Sequence, residues 1–217
     1  MKSYLLKATL NLKDTTMEIG HYLHYALHAL KDTSKNVISD AQAEKAGTTI
    51  IACSITAAIA GVGSGWLPGA GALVASAAWV AAIWTMYVKI NKDLGISLSE
   101  NVLKSLASAF LTNIIASAGA LILGMAAAFL LSFIPGFGTA GAVAIDGLLG
   151  YVTVFASGIL YIKLLTKVMK VKGTFTISED EVKSLADDIS NDSDIKGIIR
   201  EAKESFKNEK NKGTFKK

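Results

Sequence analysis

His21, His24 and His28 are the only histidines in the chain, and their spacing of three and four residues sets them along one helix face, in line with Asp14 and Glu18. Imidazoles spaced this way can share a metal ion, as the paired histidines of zinc-protease helices do. A coordination shell needs more ligands than one helix offers. Cys53 is the only cysteine and lies in an apolar stretch, and no second histidine helix exists. The three are therefore read as a polar helix face beside Tyr22 and Tyr25, with no metal and no other cofactor.

Asp146 is the only charged residue between Ser105 and Ile162. A carboxylate held at the centre of a bilayer costs about 2.5–3.5 kcal/mol, less near the surface. Its two readings are a proton, ion or subunit-contact site, and a structural carboxyl hydrogen-bonded near a turn. The phosphate-like patterns fail on their chemistry. Gly61-Val62-Gly63-Ser64-Gly65 is followed by no Lys-Ser/Thr pair, so it lacks the cation of a Walker loop. Asn91-Lys92-Asp93 lacks the spacer of a guanine-specificity motif. Lys196 and Lys203 occupy ligand positions of the calcium-loop-like stretch that begins at Asp192. No Ser-His-Asp set and no paired carboxylates can be placed, so no enzyme is expected.

The elements that carry these residues are unusually apolar. Hydrophobic residues make up 51% of the 217-residue chain and charged residues 18%, against about 25% charged in ordinary soluble domains. Residues 46–88 and 105–145 contain no charge at all, runs of 43 and 41. About 20 apolar residues cross a bilayer core, so each run has the length of two spans. The N-terminal stretch, with Lys2, Lys7 and Lys13, has no sustained apolar segment and does not read as a secretory signal.

The two runs repeat one another. Thr48-Thr49-Ile50-Ile51-Ala52-Cys53 corresponds to Thr112-Asn113-Ile114-Ile115-Ala116-Ser117. Trp66-Leu67-Pro68-Gly69-Ala70-Gly71 corresponds to Phe133-Ile134-Pro135-Gly136-Phe137-Gly138, and these hold the only two prolines. Tyr87-Val88-Lys89 then matches Tyr161-Ile162-Lys163. The segments Leu98–Ala107 and Ile177–Ala186 close the copies, with six of ten positions identical. Proline has no N–H to donate and glycine readily takes positive φ, so the Pro-Gly phrases mark hairpin tips. Tip residues are Pro68, Gly69, Gly71, Pro135, Gly136 and Gly138. Aromatics stand where membrane interfaces should lie: Trp66 and Phe133 at the tips, Trp84, Tyr87 and Tyr161 at the bases.

The expected fold is an all-α membrane protein: two tandem helical hairpins giving four transmembrane helices, flanked by amphipathic or soluble helices. Residues 1–45 form the N-terminal region, 46–107 and 108–172 the two hairpins, and 173–217 the tail. Residues 17–31 carry Ile19, Leu23, Ala26, Leu27 and Leu30 at helical spacing. Ser178-x-x-Glu181 is a capping box, Asn191 to Asp194 a break, and Ile195, Ile198 and Ile199 one face of a last helix. With four spans, all 22 basic residues fall on one side, and the positive-inside rule places both termini in the cytoplasm. The flanks, so read, are too short to wrap four apolar arms.

The two Pro-Gly hairpins, the Thr-Asn-Ile-Ile phrase and Ile134-Pro135-Gly136-Phe137-Gly138-Thr139-Ala140-Gly141 resemble an uncharacterised bacterial membrane domain, often fused behind an Era- or dynamin-like GTPase. The resemblance covers roughly residues 45–170. It implies an inner-membrane protein without catalytic residues of its own, and, because no GTPase is present here, a GTPase or other cytoplasmic partner in trans. The expected function is a non-enzymatic membrane scaffold or remodelling protein, self-associating through small-residue helix faces and binding lipid rather than nucleic acid. The alternatives are a pore former and a soluble bundle that inserts when triggered.

Overall fold

The computed structural model describes residues 20–35, 37–64, 71–117 and 138–215, and their side chains except at 62–64, 71–78 and 138–146. The described residues form seven α-helices and no strand: α1 His21–Thr33, α2 Asp40–Ser64, α3 Gly71–Leu94, α4 Glu100–Ser117, α5 Gly138–Lys172, α6 Val182–Asn191 and α7 Ile195–Asn211.

The helix ends follow local chemistry. Ser39 caps α2 reciprocally with Gln42: the Gln42 N–H donates to Ser39 Oγ and the Ser39 N–H to Gln42 Oε1. Gly95 takes φ +68° after α3, and the Ile96 N–H reaches back to the Asn91 carbonyl, which is the glycine stop of a Schellman motif. Ser99 accepts the Val102 N–H at the start of α4. A 3₁₀ turn at Glu179–Glu181 opens α6 with the anticipated Ser178–Glu181 capping box, and Asp194 caps α7 by accepting the Gly197 N–H.

α5 is the axis of the molecule. It packs against α1, α2, α3, α4, α6 and α7, and residues 150–162 are buried on every side. A helix apolar all round belongs to a protein core or to a membrane, and periodicity alone cannot choose. Gly147–Lys172 is the one stretch among the described residues long and apolar enough to cross a membrane, and 83% of its apolar window is buried inside the protein itself.

Two expectations change here. The described residues show one such stretch rather than four. The flanking helices, expected to be too short to wrap the arms, do cover part of them. α1 buries Leu23, Ala26, Leu27 and Leu30 against α5 and α2, while α6 and α7 pack on α4 and α5. The reason is geometric. Three short amphipathic helices lie along α2, α4 and α5 and bury their apolar faces there.

The flanks are tied together by polar contacts 172–179 residues apart in sequence. The Glu201 carboxylate on α7 accepts the Tyr22 and Leu23 N–H groups at 2.6 and 3.1 Å, serving as the N-cap that α1 lacks in its own sequence. The Tyr22 hydroxyl donates to Asp194 Oδ2 at 2.6 Å. That bond, with the Gly197 N–H, holds the Asp194 carboxyl below its ordinary range.

A second lock joins α5 to α6. Lys172 Nζ donates to Glu181 at 2.6 and 2.8 Å, and the Ser178 N–H and hydroxyl donate to the same carboxylate. The Lys172 contact first, then Ser178, hold Glu181 down at about 2 from an ordinary 4.5. A depressed carboxylate stabilises the fold above its unfolded pKa and loses that contribution as pH falls through the folded value. Acid titration should therefore release this lock between about pH 4.5 and 2. Glu181→Gln should remove that leg of the curve, seen as amide-exchange protection at residues 178–182 that no longer depends on pH in this window.

Candidate functional site

Three helices meet closely at one level. A Cβ on Gly150 of α5 would lie 2.5 Å from Trp79 Nε1 of α3 and 2.7 Å from the Ala57 carbonyl oxygen of α2. Gly150 is thus the contact that lets α2 and α3 approach α5. Above this level, toward the tips, α2 continues to Ser64, α3 begins at Gly71 and α5 begins at Gly138. At 1.5 Å per residue these arms reach roughly 10–18 Å further, on the order of half a 30 Å bilayer core. Exposed apolar side chains lie at and near this level, Ile59 on α2 and Val80 on α3, with Val88 further down and Ile115 on α4. Below it stand α1, α6 and the start of α7 with the ion pairs of the base, Lys31–Asp40, Lys45–Asp93 and Lys167–Asp188, while α7 climbs back to Tyr151 at Ser205.

Further toward the base the two copies of the repeat meet. Tyr87 and Tyr161, expected as interface anchors, are fully buried and stack on one another with ring centroids 4.0 Å apart and planes 16° apart. This corrects the interfacial reading: a ring enclosed by protein cannot lie among lipid headgroups. Tyr87 hydrogen-bonds Ser157 Oγ at 2.6 Å, and the Tyr161 hydroxyl donates to Asn91 Oδ1. Trp84 is half-buried in a groove of about 340 Å³ between α3 and α4, walled also by Val88, Asn91, Ile96 and Leu103. Trp84 Nε1 and Asn91 Nδ2 are buried there without a hydrogen-bond partner among the described residues.

The remaining candidates fall as follows. His21, His24 and His28 all lie on the exposed face of α1, and His28 pairs with Asp32 at 2.8 Å. No group of three His, Cys, Asp or Glu side chains that could hold a metal occurs among the described residues. Asp14 and Glu18 lie outside the described residues, as do Trp66, Pro68, Gly69, Phe133, Pro135 and Gly136. Gly71 and Gly138 are the first residues of α3 and α5. Asp146 lies in α5, and its side chain is outside the described set. Sequence reasoning missed Gly150, Trp79, Asn91 and Glu201. Only Trp79, as an aromatic in an uncharged run, carried any signal. Comparison with family models, with curated proteins and with solved structures finds no match for this chain.

Proposed function

We propose that the chain is a non-enzymatic inner-membrane scaffold whose two hairpins enter the lipid tip first, while the sheathed base stays in the cytoplasm with both termini. One observation carries this reading. The polar helices α1, α6 and α7 cover α2, α4 and α5 as far as Asn113 and Tyr151, whereas the chain has no charge from residue 46 to 88 or from 105 to 145, with Asp146 the one acid between Gly138 and Gly150. A wedge in one leaflet and four full spans are the two depths this reading allows. A wedge in one leaflet expands that leaflet alone, which is the geometry of a remodelling protein. The resemblance to GTPase-linked membrane domains adds a cytoplasmic partner that would act on the base.

Sodium carbonate extraction of membranes tests insertion. The protein should stay in the membrane pellet and leave it only with detergent; full recovery in the carbonate wash would sink the reading in favour of a soluble bundle. Depth is tested by cysteines at Ser64 and Thr139 in a Cys53→Ala background. A wedge leaves both unlabelled by an impermeant thiol reagent applied to intact cells, and external labelling at both establishes full spans.

A further inference from the structure

We infer that the end of α7 is a lysine collar that seats the molecule on an anionic lipid surface at the level where the hairpins leave the base. This rests on the membrane reading and names the lipid chemistry it requires. α7 folds back along α5. At its start Lys163 Nζ of α5 donates to Ser193 Oγ at 3.0 Å, and near its end Ser205 Oγ bonds the Tyr151 hydroxyl at 2.7 Å. α7 therefore runs antiparallel to α5 and carries its C-terminal end toward the tips. From Ser205 to Asn211 it climbs about another 9 Å. Tyr151 lies one residue from Gly150, so Ser205 stands at the level of the crossing with Ala57 and Trp79 and the end of α7 stands above it.

This end is fastened rather than loose. Phe206 packs edge-on to Tyr151 at 5.6 Å, and Phe215 stacks on Phe206 at 5.0 Å. Gly213, at φ +77°, turns the chain back, and Thr214 donates to the buried Glu209 from both its N–H, to the carbonyl, and its hydroxyl, to the carboxylate. Lys207, Lys210 and Lys212 are exposed on this fixed end. Residues 205–217 hold five lysines and one acid. Lys207–Glu204 and Lys212–Glu209 are pairs three residues apart, at 2.7 and 3.3 Å. The Lys207–Glu204 pair joins two exposed groups and is weak, so the Lys207 ammonium remains able to meet lipid phosphate. The arms of the first hairpin carry no charge at this height, and Asp146, four residues before Gly150 on α5, is the one acid on the arms of the second. A basic ring beside an apolar projection fits the anionic face of a bilayer, where the phosphates lie just outside the hydrocarbon. A nucleic acid would meet only part of this surface and would leave the apolar tips in water.

The test is flotation of the full chain with vesicles of phosphatidylcholine alone and of phosphatidylcholine with one third phosphatidylglycerol, at low and high salt. The expected result is binding to both, tighter on the anionic vesicles by on the order of 100-fold at low salt for three lysines at the surface, and equalised by high salt. The triple variant Lys207→Gln, Lys210→Gln, Lys212→Gln should bind both vesicles alike, and the triple arginine variant should restore the preference. Phe215→Ala keeps every charge and should weaken the preference by loosening the end. Equal binding of the wild type to both vesicles, or a glutamine variant that keeps the preference, overturns the collar and leaves hairpin insertion standing. Flotation with neither vesicle overturns both. Retention of duplex DNA that the glutamine variant loses, with vesicle binding unchanged, assigns the lysines to nucleic acid and overturns the collar.

Discussion

Gly150→Leu is expected to cost about 3 kcal/mol or more of stability, the upper end for overpacking a filled core. The reason lies in which atoms stand opposite. The first added carbon would sit 2.7 Å from a backbone oxygen and 3.0 Å from a backbone carbon of Ala57. Backbone inside a helix cannot swing aside as a side chain can, so α2 and α5 must part along their length. Gly150→Ala isolates the effect. In an unobstructed helix that change would gain about 1 kcal/mol. Here the clash should reverse the sign and lower the unfolding midpoint. Gly158 is the comparison, because the three atoms nearest a Cβ there all belong to the Ile50 side chain, the closest at 2.8 Å. Gly158→Ala should cost less, and Ile50→Val should relieve part of it in a double-mutant cycle. Chemical denaturation of the five variants, the double mutant included, decides the matter. A Gly150→Ala protein more stable than the wild type would remove the tight crossing from the account.

Tyr161→Ala should cost about 3–5 kcal/mol, as removal of a fully enclosed aromatic does. Tyr161→Phe separates ring from hydroxyl. It keeps the stack on Tyr87 and strands Asn91, which is 4% exposed and whose Nδ2 already has no partner among the described residues. An unsatisfied buried polar group costs about 1–3 kcal/mol. Tyr87→Phe should cost less, because Ser157 can turn its hydroxyl to the carbonyl one turn back in its own helix. The ordering Tyr161→Ala, then Tyr161→Phe, then Tyr87→Phe is checked by thermal unfolding. An equal loss in the two phenylalanine variants would show that Asn91 finds another partner.

What was legible in the sequence was local. Leu23, Ala26, Leu27 and Leu30 announced the buried face of α1 by spacing, and all four are buried. Ser178 and Glu181 announced their capping box, and the break at Asn191–Asp194 separates α6 from α7. The helical class followed from the same periodicities. The positions of Tyr87 and Tyr161 were found as equivalents, but their direction was not. α5 is apolar all round, so nothing in its pattern says which ring faces a neighbour and which faces lipid. Glu201 as the cap of α1 was illegible for another reason: a contact 179 residues distant leaves no mark on either segment alone. Gly150 was one of 19 glycines, and only the packing distinguishes it.

The tyrosine stack also bears on how two copies of one unit came to be joined. Tyr87 finds its polar partner at Ser157 and Tyr161 at Asn91, each in the other copy. At the corresponding places in the opposite copy, 74 positions away, stand Ile83 and Leu165. Two identical first units brought together would set isoleucine where serine is needed, and two second units leucine where asparagine is needed. The halves have become complementary rather than alike, so neither can pair with a duplicate of itself through this contact.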